Sequence, residues 1–125
     1  MQYFATENAP RAIGPYSQAV GRGNTIYTSG QIPIDPATGK LVEGEFESLV
    51  RRVFENLRAV LDSAGASFDD VVKATVYLTD LGQFQKLNGI YAEYFGDHKP
   101  ARSTVGVAQL PMGAPVEIDL VAVKL

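Results

Sequence analysis

Two runs near the end of the chain carry a cation and carboxylates at spacings that could do chemistry: Pro100-Ala101-Arg102-Ser103-Thr104-Val105-Gly106-Val107-Ala108 and Val116-Glu117-Ile118-Asp119-Leu120-Val121-Ala122-Val123. In both, β-branched and small apolar residues alternate with polar ones between Pro/Gly clusters, the mark of strands. Side chains alternate faces along a strand, so Val105 and Val107 point one way and Arg102, Thr104 and Gly106 the other. Val116, Ile118, Leu120 and Ala122 likewise oppose Glu117 and Asp119. If helices cover the apolar side of both strands, Arg102 and Glu117 emerge together on the uncovered side of one sheet. Arg102 offers a planar fork for a carboxylate or phosphate, and Glu117 a base for a water or a proton. The plainer alternative is a structural ion pair between Arg102 and Glu117 or Asp119.

Other candidates are weaker on spacing alone. Tyr16 follows a Gly-Pro turn and offers a ring and a hydroxyl, though such tyrosines are commonly packing anchors. Ser29-Gly30 could present backbone N–H groups to an anion or could simply end a strand. Asn88 is a polar residue between the apolar Leu87 and Ile90. His98 is the only histidine and reads as a surface residue; with no cysteine in the chain, it can build neither the usual zinc site nor a nucleophilic triad. The glycines at 21 and 23 match no phosphate-binding loop. No cofactor or metal is expected. The residue types suit an electrophile that is already reactive.

These groups must be positioned by a short list of elements. After an irregular arm over 9–16, Tyr16–Val20 and Thr25–Ser29 flank the turn cluster Gly21-Arg22-Gly23-Asn24 as a hairpin. From Glu45 to Ala64 the apolar residues Phe46, Leu49, Val50, Val53, Leu57, Val60, Leu61 and Ala64 recur at helical spacing, with Gly65 placed to end the helix. The strand 72–79 alternates with Val72, Ala74, Val76 and Leu78 inward. Asp80-Leu81-Gly82-Gln83 reads as a capping box opening a second helix that buries Phe84, Leu87, Ile90, Tyr91 and Phe95. The expectation is an α+β domain over 1–125: a mixed sheet of about six strands with two helices on one face, and a crossover making strands 72–79 and 102–108 parallel. Tyr77, Val121, Val123 and Leu125 put apolar groups on the uncovered face, which predicts contact with other copies of the chain.

Composition narrows the class. With 125 residues, 46% hydrophobic and 20% charged, the chain has the size and makeup of one soluble domain. The start Met1-Gln2-Tyr3-Phe4 has no basic region followed by an apolar one, and no run is long enough to span a bilayer, so a cytoplasmic location is the default expectation. A net charge of −3 argues against nucleic acid as the main partner.

Thr6 through Ala19 (TENAPRAIGPYSQA), Ser29-Gly30-Gln31-Ile32-Pro33 with Pro36-Ala37-Thr38-Gly39, Pro100 through Val105, and Val116-Glu117-Ile118 together resemble the Rid/YjgF family, the RidA imine deaminase branch in particular. The resemblance implies a chorismate-mutase-like (ferredoxin-like) fold and a homotrimer with sites between subunits. It also implies cofactor-free hydrolysis of 2-iminobutanoate and 2-iminopropanoate to 2-oxo acids and ammonia. In that family the arginine matching Arg102 clamps the substrate carboxylate and the glutamate matching Glu117 attends the attacking water. Residues matching Tyr16, Ser29, Gly30 and Asn88 line the pocket, and so does the backbone at Thr104, where some relatives carry cysteine. The connection over 96–100 is shorter than in some members. Two rival readings are a 2-oxo acid binding or regulatory module without turnover, and an endoribonuclease.

Overall fold

The computed structural model describes residues 1–125. In chain order the elements are strands β1 (Gln2–Phe4), β2 (Ala19–Arg22) and β3 (Thr25–Thr28), helix α1 (Phe46–Ser63), strand β4 (Val71–Leu78), helix α2 (Phe84–Phe95), and strands β5 (Ala101–Gly106) and β6 (Val116–Val123). They form one six-stranded sheet in the order β1-β2-β3-β6-β4-β5. Only β4 and β5 are parallel, joined through α2 as the apolar spacing predicts. β1 was not foreseen: three residues carry too little alternation to read as a strand, and it exists by pairing with β2 through Tyr3 and Val20.

Helix α1 forms because its apolar residues fall on one stripe: Val50, Val53, Phe54, Leu57, Val60 and Leu61 are all fully buried. It stops at Gly65, whose φ of +75° is open to glycine at little cost, while the amides of Gly65 and Ala66 bond back to Asp62 and Leu61. The stripe packs on the sheet face made by Ile26, Ala74, Val76, Leu78, Val116, Ile118, Leu120 and Ala122. Phe54 then fixes α2: its ring stacks on Tyr94 at 4.7 Å and meets Tyr91 and Phe95 edge-on at 5.9 and 6.0 Å. Phe84, expected in this core, is instead exposed at the start of α2.

Two further expectations change in detail. Val72 is exposed and Val71 is buried, because the β4–β6 register shifts between Val71 and Lys73 and the extra residue reverses the alternation at the strand's start. Ahead of α2, the Asp80 carboxylate accepts from the Gly82 amide at 2.8 Å, and one turn of tighter helix over Leu81–Gln83 precedes the α-helix.

Both helices lie on one side of the sheet, as expected. Across the other side the pairing register aligns Tyr3, Val20, Tyr27 and Val121 in one row, and Tyr27, Val105 and Val123 are 50%, 41% and 38% exposed. Between β5 and β6, Met112 holds a left-handed backbone (φ +59°, ψ +16°), which for a residue with a Cβ costs about 1–2 kcal/mol. No helix is long and apolar enough to cross a membrane.

Candidate functional site

Arg102 leaves β5 on the helix-covered side of the sheet. In the parallel register it lies beside Ala74, and Thr104 beside Val76, both fully buried beneath the helices. Its Nη1 donates to Asn88 Oδ1 at 2.8 Å, and its Cζ stands 4.7 Å from the Tyr91 ring centre and 5.3 Å from that of Phe84. Asn88 reaches it because Leu87 and Ile90 are seated in the core and turn this polar position of α2 toward β5. The rings attract the cation and cover the stem, so the fork is held in place before any ligand arrives. Its remaining N–H groups are free to take a carboxylate.

The surroundings of Arg102 are rich in donors. The hydroxyls of Tyr91 and Thr104 are buried with no hydrogen-bond partner, a situation that costs about 1–3 kcal/mol for each group unless an oxygen or nitrogen arrives to meet it. Burial raises the Tyr91 pKa, opposed by the Arg102 charge, so the phenol stays protonated and able to donate. A cavity of about 460 Å³ opens beside Arg102 and Tyr91, lined also by Asn88, His98 and Lys99 and by no carboxylate; Thr104 is not among its walls. His98 is not the free surface residue expected from sequence. Its Nε2 lies 2.6 Å from the Val71 carbonyl, which can only accept, so the ring donates there and ties the α2–β5 connection to β4.

Glu117 stands on the opposite side of the sheet, paired in register with Tyr77. The expectation that Arg102 and Glu117 emerge together on the uncovered side is therefore wrong for a single chain. The inference assumed that Val105 faces the helices. In fact both sides of this sheet carry apolar residues: Val105 sits beside Tyr77 on the open side, and the amphipathic arginine turns inward under the end of α2.

Around Glu117 a second cavity of about 550 Å³ brings together Tyr16, Ser29, Gly30 and Glu117, with Ile13 and Met112 among its other walls. Gly30 is positioned by the backbone bonds its neighbour Gln31 exchanges with Ile118, 2.9 and 3.1 Å long. A Cβ on Gly30 would lie 2.8 Å from the Glu117 Cδ, so only glycine lets the carboxyl rest against that backbone. The Ser29 hydroxyl donates to the Ser17 carbonyl at 2.6 Å and so anchors the arm that carries Tyr16. Tyr16 itself is exposed.

The organiser of that arm was not legible as a functional residue. Gln18 is buried, accepts from the Thr6 amide at 2.7 Å, and donates to the carbonyls of Thr6 and Pro10 at 3.0 and 2.7 Å. A glutamine next to the buried Ala19 in a strand pattern was the available signal. Tyr91, placed in the core by its spacing, also turns out to face Arg102.

The electrostatics of the two sides differ. The Glu117 carboxyl is pushed above its usual range, first by burial and then by the Asp119 charge two residues along the same face. Asp119 is raised by burial, while its contact with the Tyr77 hydroxyl pulls the other way. One side of the sheet thus holds an anchored cation among donors, and the other a carboxyl that holds its proton more tightly than usual.

Comparison with known proteins adds findings of three kinds. Residues 6–124 match the family model described as Endoribonuclease L-PSP. Among curated relatives, a RutC family protein of Pyrococcus horikoshii is 53% identical over 119 residues, covering 95% of this chain and 94% of that one. A Salmonella typhimurium protein named 2-iminobutanoate/2-iminopropanoate deaminase is 46% identical over 124 residues, covering 97% and 96%. Among solved structures, RidA from an Antarctic Psychrobacter superposes with a TM-score of 0.95 at 46% identity, covering 99% of this chain and 100% of that one. Escherichia coli TdcF, solved with bound serine, gives 0.95 at 40% identity, each chain covered completely.

Proposed function

The chain belongs to the Rid/YjgF family, the one described as Endoribonuclease L-PSP, and from that premise we propose that it hydrolyses small 2-imino acids, 2-iminobutanoate and 2-iminopropanoate among them, to 2-oxo acids and ammonia. The observation that carries this reading is the division of the site between the two faces of the sheet. Arg102, Asn88 and the unpartnered hydroxyls of Tyr91 and Thr104 form one half, and Glu117 against Gly30 with Tyr16 and Ser29 forms the other. One chain cannot close both halves on one small ligand. A symmetric assembly can, by setting the β5 edge of one copy against the Glu117 cavity of the next, as in a homotrimer.

In such a site Arg102 holds the substrate carboxylate, which fixes the imine carbon over the neighbour's Glu117. A water attacks that carbon and gives a proton to the Glu117 carboxylate while the C=N π pair moves to nitrogen. The proton passes to nitrogen to give a carbinolamine. Its hydroxyl proton then moves by the same carboxylate to the nitrogen, the C–N bond breaks with its electron pair going to nitrogen, and the C=O bond forms as ammonia leaves. The raised pKa of Glu117 brings it closer to neutrality and so makes it a better base for a water. Free imines already hydrolyse in water, so orientation and one base can supply the acceleration. The serine bound to TdcF supports a site that accepts a small amino-acid-like carboxylate.

The test is to generate 2-iminobutanoate in situ and follow 2-oxobutanoate. Arg102→Ala and Glu117→Gln should each lower the enzymatic rate by roughly 10²-fold. Mixing the two variants under subunit exchange should restore activity at about a quarter of the sites by random assortment in a closed oligomer. Saturable binding of 2-oxobutanoate with no imine turnover by the wild type would replace this reading with a binding module. Turnover untouched by Arg102→Ala would remove the clamp.

A further inference from the structure

Met112 has neither of the usual reasons to be methionine. It is 58% exposed, so it fills no core gap, and its left-handed backbone, followed by Gly113 at φ +73°, is a position where asparagine or glycine would serve the turn with less strain. The turn is closed by backbone bonds alone, from the Gly113 amide to Leu110 and from the Ala114 amide to Pro111, at 3.2 and 3.1 Å. Strain kept at an exposed position points to a use for the side chain.

That side chain lines the Glu117 cavity, and Ile13, 82% exposed on the N-terminal arm, lines it as well. Two exposed flexible or branched hydrophobes thus line a cavity together with a carboxyl. Arg11 is the one cation among the lining residues. The reacting end of an imino acid needs the carboxyl; the apolar border has no part in moving protons and suits the remainder of the substrate.

We propose that Met112, together with Ile13, is a specificity-determining residue that forms the apolar wall for the substrate's side chain, so that the site takes imino acids with extended aliphatic tails in preference to acidic ones. The proposal rests on the functional reading above and sharpens its substrate class. Methionine suits this place because its unbranched thioether adapts to tails of different shape, while the left-handed backbone projects it from a turn that needs no help from it.

The experiment compares imines generated in situ from alanine, leucine and glutamate by amino acid oxidases, with wild type, Met112→Gly and Met112→Leu, alongside calorimetric binding of the corresponding 2-oxo acids. Met112→Gly should lower kcat/KM for the leucine-derived imine by about tenfold relative to the alanine-derived one, as loss of apolar contact with a tail predicts. Met112→Leu should restore most of it, and Met112→Gly should melt no lower than the wild type. Equal effects on all three imines, or loss of assembly in Met112→Gly with both rates falling together, would overturn the inference. So would a wild type that prefers the glutamate-derived imine, which assigns the border to Arg11 instead. A wild type that turns over no imine while Met112→Gly selectively weakens the longer 2-oxo acid leaves the inference standing as binding specificity and fails only the reaction.

Discussion

Glu117 shows how a single residue can be costly to the fold and useful to the site. Its pKa is raised by burial first and by Asp119 second, so the folded state holds the proton more tightly than the unfolded chain does. The sign of the linkage follows: between the unfolded pKa, near the model-compound value of 4.5, and the raised folded one, stability falls as pH rises. Replacing the carboxyl with an amide of the same shape removes that loss. Urea midpoints at pH 4 and pH 7 should therefore differ less for Glu117→Gln than for the wild type, with the variant the more stable at pH 7 and its imine turnover lower by about 10²-fold. A variant less stable at pH 7 would mean that another charge, such as a neighbour's Arg102, already compensates the carboxylate. The candidate residues were legible from their types and spacing, but their partners were not. Asn88 reads from sequence only as a polar interruption of an apolar helix face; the fold makes it the acceptor that orients Arg102.

At the scale of elements, one buried side chain joins the main helix to the segment that follows Gly30. Asn56, fully buried on α1, donates to the Ile34 carbonyl at 2.9 Å and accepts from the Arg52 Nε at 3.0 Å. Truncation leaves a part-buried carbonyl without its donor, so Asn56→Ala should destabilise the fold by about 1–3 kcal/mol, read as a lower urea midpoint at unchanged slope. No loss of stability would show the carbonyl re-paired with water. Helix α1 and the parallel β4–α2–β5 unit were readable because each is written in a local period with its own stop signals. The hairpin was readable as a hairpin, but its first strand runs Ala19–Arg22 instead of 16–20, with Gly21 and Arg22 paired and only Gly23-Asn24 left as the turn. The short β1 and the reversal at Val72 were not, because pairing partners and a register shift are non-local facts.

The whole molecule leaves one side of its sheet bare, and the row Tyr3, Val20, Tyr27 and Val121 crosses it. Under the proposed reading this apolar face meets other copies of the chain. Tyr27→Glu, far along the sheet from Arg102, should leave a folded chain by circular dichroism that sediments as a monomer and has lost imine turnover. A variant that is monomeric yet fully active would refute a site shared between copies. The amino-acid sequence alone determined the order and type of the main elements, because periodicity and turn chemistry are local properties, and it marked Arg102 and Glu117 as the groups worth following. Only the tertiary structure decided on which side of the sheet each one stands. Strand alternation defines two faces but does not say which of them the helices cover, and where apolar residues occupy both, the choice falls to packing between distant parts of the chain.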